Sequence, residues 1–115
     1  MSNETKPMII VDEENGREYT LEFNRRTVVR AEQAGLDISK LDSYPMTMIP
    51  ILFWCAFLYH HPYMTKEQTD KILFEGLGGI GKDEIVRLAA LYAEPFQTLI
   101  SEEEGTKNPR KMAVR

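Results

Sequence analysis

The stretch FEGLGGIGKDE, Phe74 to Glu84, sets Gly76, four residues, Gly81 and Lys82 at nearly the spacing of a phosphate cradle. In such a cradle backbone amides converge on the anion, the lysine neutralises it, and a hydroxyl after the lysine holds magnesium. Here that last position is Asp83, a carboxylate that would face the phosphates and repel them. A cradle should also follow a buried strand, whereas Thr65 to Glu75 reads as a capped helix. The sequence therefore predicts a hinge, in which Gly76 or Gly78 closes one helix in a left-handed conformation and Gly81 opens the next. No cofactor is expected.

Three other groups carry chemistry-bearing side chains. His60 and His61 are neighbours, and on a helix neighbours diverge by about 100°, too far to clamp one metal ion. The single cysteine, Cys55, lies in an apolar run where a thiol loses reactivity, and it has no internal disulfide partner. Arg25, Arg26 and Arg30 make a small basic patch, but Glu22 and Glu32 flank it and no reading helix follows. No metal site, no catalytic pair and no enzyme are expected, and nucleic acid is disfavoured as a partner. The net charge of −4 supplies no general pull toward polyanions either.

The elements that position these residues read as one domain. With 115 residues and 43% hydrophobic content the chain can bury a single modest core. Asn15-Gly16 reads as the two-residue loop of a hairpin over about 8–23, which would pair Ile10 with Leu21 and Met8 with Phe23. Tyr19, Leu21 and Phe23 then share one face, and Glu18, Thr20 and Glu22 the other. Asn24 is an N-cap, with Phe23 stapled onto Val28, and Gly35 ends that helix. Residues 37–43 are expected to form loop or one short turn. A second helix should open at Tyr44-Pro45, restart or kink at Pro50, and stop by His61-Pro62. Thr65 to Gln68 has capping-box spacing for a third helix over about 66–75, and a fourth should start near Lys82 and be interrupted by Pro95. The expected fold is α+β, mainly α: an N-terminal hairpin packed on about four helices. Residues 1–7 are expected to be a flexible N-terminus, 8–100 the domain, and 101–115 a disordered, mobile tail.

The segment IPILFWCAFLYHH asks for company. Ile49, Phe53 and Phe57 lie along one side, Ile51, Cys55 and Leu58 along another, and Trp54 on a third. A helix apolar all round must be enclosed by its own fold or by another chain. Its apolar run, Met46 to Tyr59, is too short for the roughly 20 residues of a membrane span. The start MSNETKPM has no secretory layout, so the chain reads as cytoplasmic and reduced. Met and aromatic side chains suit a surface that accepts varied apolar partners, and Met46, Met48, Trp54, Phe57 and Tyr92 are expected to border such a groove.

Three segments together carry a resemblance: YTLEFNRRTV (Tyr19 to Val28), YPMTMIPILFWCAFLYHHP (Tyr44 to Pro62) and LYAEPFQTLI (Leu91 to Ile100). In that order they resemble the small tail assembly chaperones of long-tailed bacteriophages, encoded between the tail-tube and tape-measure proteins. The resemblance implies a small, mainly helical, non-enzymatic protein that coats the apolar tape-measure protein, keeps it soluble, and leaves as tail-tube protein polymerises around it. It implies the tape-measure and tail-tube proteins as partners, with a homo-oligomer open, and names no binding residue. The alternatives are a structural subunit of the phage tail or head, and a small DNA-binding regulator.

Overall fold

The computed structural model describes residues 6–99 and Met112. Two antiparallel strands, β1 (Met8–Asp12) and β2 (Arg17–Leu21), lead into α1 (Arg25–Gln33). A 3-10 turn at Ile38–Lys40 precedes α2 (Pro45–Phe57). Then come α3 (Lys66–Lys71), a π-helical turn at Ile72–Gly76, α4 (Lys82–Ala93) and a 3-10 turn at Glu94–Thr98. This is the expected hairpin followed by four helices. The expected tail at 101–115 and most of the N-terminal stretch lie outside the described residues.

The hairpin forms with a different register from the one its dipeptide suggests. Met8 pairs with Leu21, Ile10 with Tyr19 and Asp12 with Arg17, which leaves a four-residue loop at 13–16. The Asp12 carboxylate accepts hydrogen bonds from the Glu14 and Asn15 amides and from Asn15 Nδ2, so the turn is closed by a side chain. Only Gly16 has positive φ (66°), whereas the expected type I′ loop needs it at both central residues. A shift of two residues preserves side-chain parity, so Met8, Ile10, Tyr19 and Leu21 still face the helices.

Local signals set the helix ends. The Asn24 side chain accepts from the Thr27 amide while the Thr27 hydroxyl accepts from the Asn24 amide, a reciprocal cap that starts α1. Gly35, at φ 103°, ends it. Thr65 and Gln68 cap α3 in the same reciprocal way. The second helix stops at Phe57, short of the expected stop at His61-Pro62, because Leu58 turns its amide back to the Cys55 carbonyl. That early end releases the Ala56 carbonyl, which accepts the Glu22 amide at 2.9 Å and fastens the hairpin's exit onto α2.

Helix α2 is the axis of the domain and touches β2, α1, α3, α4 and the first 3-10 turn. Leu52, Phe53, Cys55, Ala56 and Phe57 are wholly buried on it. Phe53 and Phe57 meet edge to face at 5.0 Å, and Tyr19 adds its ring to Phe57 at 5.5 Å. From α4, Leu88, Leu91 and Tyr92 close the far side, with Tyr92 T-shaped on Phe23 at 5.3 Å. Arg87 donates to the Pro7 carbonyl at 2.7 Å and ties the start of β1 to α4.

Two measurements test these placements. Asn24→Ala removes the acceptor for the Thr27 amide and half of the reciprocal cap, and should cost about 1–2 kcal/mol of unfolding free energy in urea titration. The second concerns His61, whose Nε2 accepts the Thr20 amide at 3.0 Å and is therefore unprotonated. Burial, then the neighbouring His60, pushes the His61 pKa below the usual 6.5. Between that lowered value and about 6.5 the unfolded chain binds more protons, so stability should fall as pH drops through this window. His61→Gln should remove this part of the pH dependence.

Candidate docking surface

The residues with reactive side chains are engaged in holding the fold. The glycine segment joins two helices: the Leu77 amide bonds the Ile72 carbonyl and the Gly79 amide the Leu73 carbonyl, each at 2.8 Å. Gly78 and Gly79, at φ 69° and 110°, make the reversal, while Gly76, one of the expected left-handed positions, stays within the π turn. Gly81 caps α4, and its amide donates to Glu84 Oε1 at 2.6 Å, so this loop amide is already satisfied by the protein's own carboxylate. A side chain at Gly81 would meet that oxygen at 2.9 Å.

The two histidines serve different partners. His60 Nε2 lies 2.8 Å from Glu22 Oε1, while His61 accepts from Thr20, and their ring centres stand 6.4 Å apart. Among the described residues no group of three or more His, Cys, Asp or Glu side chains is placed to hold a metal ion. Burial raises the Cys55 thiol to about 12, which leaves it protonated and inert at neutral pH. Among the described residues, no helix is long and apolar enough to cross a membrane.

The five residues expected to border a groove part company. Met48, Phe57 and Tyr92 belong to the core, and Phe57 has no exposed surface. They depart from the expectation: the domain covers most of α2 by itself, leaving no surface on Phe57 and less than a tenth of Met48 and Tyr92 in solvent. Trp54 is half-buried, donating Nε1 to the Met64 carbonyl at 3.0 Å under the Arg30 guanidinium, which sits 4.9 Å from the ring centre. It is a strut between α1 and the segment after α2. Met46 alone stands in solvent, 76% exposed.

Met46 marks a real groove, one the sequence located only at that point. A cleft of about 150 Å³ runs between the start of α2 and the π turn, with Ile49 and Pro50 on one side and Leu73 and Phe74 on the other. Ile80 and Ile85 line it further along. Two irregularities build it. Pro50, inside α2, has no N–H to return to the Met46 carbonyl, so the first turn of the helix is freed from the regular ladder. The wider π turn displaces the chain so that Phe74, 48% exposed, and Leu77 point outward beyond the end of α3. Phe74 could have been suspected as an apolar residue beside a glycine run, but nothing in its spacing signals a π turn.

Among the described residues, the groove has no charged lining and no titratable group aimed into it. What it can do is take up an apolar side chain. No curated protein and no solved structure matches the chain. The family described as "Domain of unknown function (DUF5055)" matches residues 1–114, and the chain belongs to that family.

Proposed function

We propose that this protein is a tail assembly chaperone of a long-tailed bacteriophage. It acts in the host cytoplasm, holding apolar helical stretches of the tape-measure protein in solution until tail-tube protein replaces it. The observation that carries the reading is the open apolar groove at whose edge Met46 and Phe74 stand in water. Exposed Met and Phe at the lip of a preformed cleft suit a client recognised by apolarity rather than by sequence. The resemblance of the three quoted segments names the client.

A helix laid in the groove would present one apolar side chain per turn or two to the floor formed by Ile49, Pro50 and Ile80. Met46 and Phe74 would then close over it as the dry centre of the contact.

Co-expression with tape-measure fragments tests this. Met46→Asp with Phe74→Asp should weaken binding by about thirtyfold or more and return the fragment to the insoluble fraction. The unchanged far-ultraviolet circular dichroism of the double variant would show that the fold survives. A soluble fragment with the double variant, bound as tightly as by the parent, would overturn the reading.

A further inference from the structure

A second apolar cleft, sharing no residue with the first, lies between α1 and the 3-10 turn after α4. Its volume is about 170 Å³, and its lining is Val28, Val29, Pro95, Phe96 and Leu99, with Arg25 at one end and Glu32 at the other. Val29 is 47% and Leu99 70% exposed, so this apolar surface meets solvent in the single chain. Arg25 and Glu32 are exposed, and neither forms an ion pair among the described residues.

The order of these residues along α1 is the informative feature. Arg25, Val28, Val29 and Glu32 form a cation, two apolar residues and an anion over two helical turns, about 10.5 Å. Turned end for end, the same row reads anion, two valines, cation. A second α1 laid antiparallel would therefore bring the two exposed Val29 side chains together over the buried Val28 pair and set each Arg25 against a Glu32. That is the self-complementarity a two-fold interface requires. Arg30 does not spoil the match, because its guanidinium lies over the Trp54 ring.

We infer that the cleft is a homodimer interface, in which two copies pack α1 against α1 about a two-fold axis. Val29 and Leu99 form its apolar centre, and the two Arg25–Glu32 pairs fix the antiparallel direction. An arbitrary apolar client would leave the two end charges without a role, whereas a second copy uses both. The dimer leaves the Met46 groove open, so it is independent of the client reading.

Sedimentation of the full chain over a range of concentrations tests the inference, with Arg25→Glu and Glu32→Arg as variants. Each reversal puts like charges at both ends of the interface and should raise the dimer dissociation constant by about tenfold or more. Both place the new charge favourably for the α1 dipole, so a loss of dimer would not come from melting the helix. Mixed in equal amounts, the two variants should associate with each other, because every contact then joins unlike charges. Val29→Lys should abolish association, alone or mixed. A parent chain that stays monomeric, a dimer indifferent to all three substitutions, or reversal variants that fail to associate on mixing would each overturn the inference.

Discussion

A helix with apolar side chains around most of its circumference has no face to offer water, and this constraint organises the domain. Nearly every residue of α2 from Met48 to Phe57 is buried, and strand, helices and turns are distributed around it. A 13-residue helix cannot be wrapped by one neighbour, which is why the hairpin, α1, α3 and α4 each take a sector. The hairpin is fastened by two hydrogen bonds, from the Glu22 amide to the Ala56 carbonyl and from the Thr20 amide to the His61 ring. Both partners are available only because α2 ends where it does. Without that anchorage a two-stranded ribbon would be marginal in water.

Much of this was legible because it is encoded locally. Asn24, Gly35, the Thr65–Gln68 box and the Gly81 start of α4 are short-range backbone solutions, and each acts where its sequence signature lies. The hairpin's faces were legible for the same reason, since alternation survives a shift of two. Its register was not: the Asn15-Gly16 signal competed with an Asp12 carboxylate able to bind three donors, and the side-chain turn won. The partition of apolar residues between core and surface was the least legible. Met46 and Met48 are two residues apart, yet one is bare and the other buried and in contact with the Asp37 amide through its sulfur. Tertiary packing decides between them: Met48 turns toward the segment after α1, and Met46 toward the groove beside the π turn.

The same arrangement explains why exposed apolar groups cluster where regular hydrogen bonding lapses. Pro50 interrupts the ladder of α2, and the π turn widens the end of α3. A regular continuation of α3 would carry Phe74 around its own axis, whereas the wider π turn leaves it at the edge of the groove beside the start of α2. Pairs of such departures facing each other across a gap leave a cleft that ideal helices would close. A cleft bounded by stiff elements is preorganised, so its occupant need not bear the cost of ordering it.

The size of that cleft bears on what kind of binding it supports. Burying a single Met or Phe side chain contributes about 1.5–3 kcal/mol, and joining two molecules costs at least about 4 kcal/mol of lost freedom. A groove of this volume, built around Met46 and Phe74, can therefore hold one short helical segment only weakly. Such weakness would suit the proposed coat: many copies spread along a long apolar helix would protect it collectively, while each would leave readily when a better-fitting partner arrived. If chains pair through α1, two grooves act on one client, and the second contact forms at the high effective concentration set by the first. Self-association would then raise avidity without deepening either groove, keeping each contact reversible.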